Sequence, residues 1–249
     1  MRNYIRADVK RILKRSSHLF SMLLLFAIYV IALFLTNRGQ VTPVTLVSSA
    51  CGMLDWIVIF IGLFEMIAVF SEDFKVKTMQ VAIGLGVSRN KIVLCKLIEA
   101  AILMVLDCIA VVLLTMGVGA ALGANIPMDV LTTLNNTLLV KCILAQVASV
   151  SLTMIVLFVT QSTILSIFVY VLVSAGVVNM LLSVLPMLGV TWLENLNLNR
   201  LTLSYHIGSF YTKLVLGSFE VVSFLVIAAY TAAGIFGTCK LFSKRELDF

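Results

Sequence analysis

Long apolar runs separated by short polar stretches set the pattern of this chain, and their length decides what they are. A helix rises about 1.5 Å per residue, so about 20 apolar residues cross the hydrocarbon core of a bilayer. Runs near 19–36, 50–70, 97–122, 138–159, 163–186 and 218–241 meet that length, which predicts an all-α integral membrane protein with six transmembrane helices. Pro43 and Pro127 fall in the predicted connections and Pro186 at the end of the fifth span, where a missing N–H does little harm. Between the fourth and fifth runs only Thr160-Gln161-Ser162-Thr163 interrupts the apolar sequence, and it predicts a tight turn. Residues 1–17 follow another rule. Ile5, Val9, Ile12 and Leu13 recur at helical spacing while Arg6, Lys10, Arg11, Lys14 and Arg15 fill the rest of the wheel, the pattern of an N-terminal helix lying in the membrane interface among anionic headgroups.

Composition points to lipid as the main solvent. Of 249 residues 61% are hydrophobic and 12% charged, against about half and about a quarter in soluble domains. The net charge of +6 matters through its placement. Arg2, Arg6, Lys10, Arg11, Lys14 and Arg15, then Lys75, Lys77, Arg89, Lys91 and Lys96, then Lys240, Lys244 and Arg245 fall on one side of the predicted map; Arg38, Lys141, Arg200 and Lys213 fall on the other. Cytoplasmic flanks carry the excess of Lys and Arg, so both termini are expected in the cytoplasm. Cations gathered at helix ends, with no basic surface interleaved with aromatics, exclude nucleic acid as the expected partner. Cys51, Cys95, Cys108, Cys142 and Cys239 are scattered without a CxxC pair and read as small buried apolar residues. The basic start and first run lack a small-x-small cleavage pattern, so that span is expected to be retained. No repeat or linker divides residues 1–249, which read as a single transmembrane domain.

Three polar features carry candidate function. The first is the link 71–96, on the expected cytoplasmic side. Ser71 can cap a short helix with Glu72 and Asp73 in its first turn, Gly84 and Gly86 can end it, and Ser88 can cap the next helix, which runs on as the third span. The second is a set of acids inside apolar runs, Asp55 and Glu65 in the second span and Glu99 and Asp107 in the third. A carboxylate in mid-bilayer is costly, so these should face the bundle interior, a cavity or a basic partner, with Glu99 and Asp107 able to look into one interface. They are candidates for lining a pathway for a cationic or amphipathic substrate; a structural pair, for example with Lys141, and an acid held neutral are the alternatives. The third is the outer connection 187–217, where leucines alternate with Asn195, Asn197 and Asn199 beside Trp192, Tyr205, Phe210 and Tyr211, a mixture suited to the interface. His18 and His206 stand isolated on opposite sides, so they build neither a metal site nor a catalytic pair. Asn135-Asn136-Thr137 is a formal glycosylation sequon, and no GxxxxGK(S/T) nucleotide motif occurs.

Phe70, the acidic pair Glu72-Asp73, Lys77-Thr78, Ser88-Arg89 and Lys96, together with the ending Phe242-Ser243-Lys244-Arg245-Glu246-Leu247, resemble the marks of the type-2 ATP-binding-cassette (ABC) permeases. The layout resembles that of small six-span bacterial members of that family that serve antimicrobial-peptide or lantibiotic immunity or export. The family's glycine before the threonine is Lys77 here, and its proline before Ser-Arg is Val87. The resemblance implies a non-catalytic permease subunit in a bacterial plasma membrane. Its cytoplasmic coupling helix would engage a separate ATPase, present in two copies, through Glu72, Asp73, Phe74, Lys77, Thr78, Ser88 and Arg89. ATP and Mg would belong to that ATPase, with no cofactor bound by this chain. A second permease chain, identical or related, would complete the pathway, and short re-entrant helices would occupy 187–217. The rival expectation is a secondary transporter or channel using the intramembrane carboxylates as ion sites. An intramembrane enzyme would need a nucleophile and base or a metal set, and no such pattern is present.

Overall fold

Backbone polar groups in lipid must be satisfied within the segment that carries them, which makes each long apolar run a helix. The computed structural model describes residues 2–39, 41–75, 83–84, 86–184 and 197–244, and every regular element among them is helical. The basic start forms α1 (Arg2–Leu13), and the first three apolar runs form α2 (Ser16–Thr36), α3 (Pro43–Lys75) and α4 (Arg89–Ala121). The fourth begins as α5 (Met128–Thr137), widens into a π-helical turn over Leu138–Leu144 and continues as α6 (Ala145–Thr160). There follow α7 (Thr163–Ser174), α8 (Val177–Val184), a 3-10 turn (Leu198–Leu201), α9 (Leu203–Val215) and α10 (Val221–Lys244). Among the described residues five helices, with Met128–Thr160 taken as one, are long and apolar enough to cross a membrane, and α7 with α8 would make a sixth. This is the architecture of an all-α, multi-pass membrane protein.

The chain divides into two compact units, Met1–Ile143 and Leu144–Phe249. In the first, α3 packs against α2, α4 and α5, and α1 against α4. Met22, Leu25, Tyr29 and Leu33 of α2 meet Leu46, Ala50, Leu54, Val58 and Ile61 of α3 and Val111 and Val118 of α4 in one buried core. Spacings of three and four keep each set on one helix face. Inside it Tyr29 donates to the Thr115 hydroxyl at 2.7 Å, and Thr115 donates to the Val111 carbonyl at 2.8 Å, so neither hydroxyl is left dry.

In the second unit α6 packs along α10 and against α7, and α9 lies on α10. Small residues let the α6 and α10 backbones approach closely, the usual basis of helix association in lipid. Gln146 of α6 accepts from Tyr170 at 2.6 Å and Ser174 at 2.7 Å, tying α6 to α7. The expected tight turn is present. Gln161 takes a left-handed conformation at φ 55°, and the Ser162 hydroxyl accepts the Leu165 N–H at 3.3 Å.

The fourth and fifth runs differ from the sequence expectation, and α3 starts at Pro43, which was expected in the connection before it. The connection before residue 138 is largely helical, because Pro127 holds an extended φ of −73° at the N-cap of α5 and leaves no donor unsatisfied there. The sequon consequently lies within a helix, with Thr137 buried and its hydroxyl donated to the Thr133 carbonyl at 2.8 Å. The fifth run, expected as one span over 163–186, bends by 54° between α7 and α8. Gly176 makes the bend at φ 68°, a conformation open to glycine at no steric cost. Gly176→Ala would bring a Cβ to 3.1 Å from Ser204 Oγ as well. Its expected cost is about 1–2 kcal/mol, read as an earlier thermal transition in detergent.

Candidate functional site

Most of the buried charged residues of the first unit lie towards the end where α1, the start of α2, the first half of α4 and the last third of α3 meet. Lys96, on the second turn of α4, is wholly buried. Its ammonium forms an ion pair with Asp8 of α1 and stands 3.0 Å from Glu99, one turn on along α4, with the Tyr4 ring centroid 5.7 Å away. Asp8 also takes Arg11 at 2.6 Å. Two carboxylates thus face two cations across the α1–α4 contact, the compensation that a buried charge requires. The i, i+3 spacing of Asp8 with Arg11 and of Lys96 with Glu99 puts each pair on one helix face.

One layer further in, His18 Nε2 lies 3.6 Å from Glu65 Oε1, and the Glu65 carboxyl faces that of Asp107 on α4. Both Glu65 oxygens, Asp107 Oδ2 and His18 Nδ1 are buried without a hydrogen-bond partner among the described residues. The Cys108 and Cys142 thiols sit beside this pair, and both are free. A cavity of about 260 Å³ opens next to His18, between Arg15, Ser21, Phe64 and Ala68. Towards the other end, Lys141 in the π-helical turn pairs with Asp55 of α3.

The four acids named from sequence therefore divide into three settings. Glu65 and Asp107 face each other, Glu99 belongs to the Lys96 cluster, and Asp55 takes Lys141. Glu99 and Asp107 do not share one site, and the structural pair with Lys141 that the sequence offered as an alternative is made by Asp55. The cause is the neighbour each meets: Glu99 lies beside the cation on its own face, whereas Asp107 comes level with Glu65 of α3.

No protein-family model matches this chain, and no curated protein matches it.

Of the residues assigned to coupling, Ser88 and Arg89 are described. Ser88 is the N-cap of α4, with its carbonyl accepting from Lys91 at 3.0 Å and Ile92 at 3.2 Å; its hydroxyl makes no capping bond. Just before it, Gly86 turns the chain at φ 87° and donates to the Ile83 carbonyl at 2.9 Å, the left-handed step that ends many helices. Ser71 does not begin a new helix. The helix α3 runs through it unbroken to Lys75, so the N–H groups that Ser71 was expected to cap already lie within a helix. Glu72, Asp73 and Phe74 continue α3, and their side chains, with all of Lys77 and Thr78, lie outside the described residues.

Sequence reasoning missed Asp8, the partner that brings Lys96 inside. The signal was available: Asp8 is the one acid among the cations of residues 1–17, and it stands four positions before the buried Ile12. His18 looked isolated because its partner lies on another helix.

In the second unit the described part of 187–217 includes α9, with Leu203 and Phe210 buried and Phe210 stacked edge-on against Phe219 at 5.2 Å. Ser209 donates to Glu220 at 2.6 Å and Lys213 approaches it at 3.4 Å. The Ser209 hydrogen bond, aided by Lys213, holds the Glu220 carboxyl below its ordinary value of 4.5. A depressed carboxyl contributes stability above that ordinary value and loses it as pH falls through the lower, folded one. Melting temperatures of Glu220→Gln are therefore expected to fall below wild type at neutral pH and to converge with it in acid.

Proposed function

We propose that this chain is the transmembrane permease subunit of an ABC exporter, in which a separate ATPase drives a hydrophobic or amphipathic substrate, such as an antimicrobial peptide, a drug or a lipid, out of the membrane or the cytoplasm. One observation carries the reading. Helices α3 and α4 are each 33 residues long, about 50 Å, against about 30 Å of hydrocarbon. Both have length to spare, and the link from Lys75 to Arg89 joins them at the end where α1 lies. A short segment on two continuous helices is the kind of lever through which a partner's movement reaches the spans. With Glu72, Asp73, Phe74, Lys77, Thr78, Ser88 and Arg89 as its contacts, two ATPase copies bind ATP and Mg and draw together. A second permease chain, identical or related, completes the pathway. The chain itself is non-catalytic, with both termini on the ATPase side of a bacterial plasma membrane.

The apposed Glu65 and Asp107, with His18 beside them, favour a second reading in which an ion gradient drives transport. Proteoliposomes holding the chain with its ATPase separate the two. Glu72→Ala with Asp73→Ala is expected to lower ATP-driven export at least about tenfold at unchanged protein level. Export that persists without ATP while a gradient is intact would support the second reading instead.

A further inference from the structure

The outer side of α1 is ordered in stripes. Asp8 and Ile12 are buried against the bundle; beside them run Ile5 and Val9, half-buried, and Leu13, exposed; beyond these run Arg6 and Lys10, with Lys14 in the turn just past the helix end, all exposed. Repeats of four residues place each stripe next to the previous one on the helix wheel. The apolar stripe and Ile98 and Ile102 of α4 enclose an open cavity of about 830 Å³, and the three cations form one edge of it. That volume lies in the range of about 300–1,000 Å³ found for small-molecule sites. None of the three cations meets a carboxylate among the described residues. The only acid of α1, Asp8, is turned inward onto Lys96.

We propose that this groove is a binding site for one anionic phospholipid, with an acyl chain between α1 and α4 and the headgroup phosphate against Arg6, Lys10 and Lys14. Charge complementarity selects the occupant. A neutral lipid leaves three cations without a counter-ion, and a soluble anion leaves the apolar walls uncovered. A molecule with a phosphate at one end and a hydrocarbon tail satisfies both. The buried Asp8–Lys96 pair fixes α1 against α4, so the groove is held open by the fold and differs from lipid merely adjoining the protein. The site goes beyond the transport reading and holds whichever energy source drives the spans.

Native mass spectrometry of the purified full-length chain in mild detergent, with added phosphatidylglycerol or phosphatidylcholine, tests it. Wild type is expected to retain one phosphatidylglycerol and to discriminate against phosphatidylcholine. Changing Arg6, Lys10 and Lys14 together to Gln should weaken phosphatidylglycerol roughly a hundredfold, and each single change about fivefold, at about one cation's worth of attraction apiece. Ile102→Trp, which fills the groove and leaves the cations in place, should also displace the lipid, with helicity by circular dichroism as the check on folding. Equal retention of the two lipids, wild-type binding by the single cation variants, or undiminished binding by Ile102→Trp would each overturn the assignment.

Discussion

Lys96→Met is expected to destabilise the first unit by about 3–5 kcal/mol, the cost of breaking a buried ion pair from one side. The methionine fills much of the space of the lysine stem, so lost packing is small. The damage comes from the two acids: Asp8 and Glu99 stay buried with the ammonium gone. Two responses are open to the chain, release of α1 from α4 or loss of the unit's cooperative transition. Either appears as a lower melting temperature and faster proteolysis near residue 14. Combining Lys96→Met with Asp8→Asn and Glu99→Gln removes the stranded charges and should recover most of the loss, since a neutral cluster of similar volume has no charge left to compensate. A single Lys96→Met as stable as wild type would mean that the cluster is not closed to water.

Gly234→Ala should be the most damaging small change in the second unit. An added Cβ would lie 2.6 Å from both the carbonyl carbon and the oxygen of Ser151, and that backbone cannot rotate away as a side-chain tip can. The α6–α10 crossing must open, at the cost of about 1–3 kcal/mol typical of overpacking. Gly117→Ala is the matched control. Nothing among the described residues lies within 4 Å of its added methyl, and alanine favours the helix by up to about 1 kcal/mol. The two variants are therefore expected to move the thermal transition in opposite directions.

The spans were readable because a bilayer constrains length and composition together, and α1 was readable from its regular apolar spacing among cations. What escaped the sequence had tertiary causes. Glu65 and Asp107 are 42 positions apart and meet only because α3 and α4 run antiparallel through the same core, so no spacing rule pairs them. Lys96 looked like a flanking cation until Asp8 came down on it. The helical start at Met128 hid behind Asp129, Thr132 and Asn135, polar residues that read as a loop although the helix buries Leu131 and Leu134 from the same stretch. Ser71 showed the opposite error, a good N-capping residue inside a helix that runs on through it to Lys75. The bend at Gly176 was hidden because its flanks are as apolar as any straight span.

The central claim, a permease moved by another protein's nucleotide cycle, is tested most directly by what accompanies the tagged full-length chain through purification in mild detergent. A nucleotide-hydrolysing subunit is expected at one copy per permease chain, lost when Glu72 and Asp73 are both replaced. A chain that purifies without any companion and still transports at its full rate would contradict it.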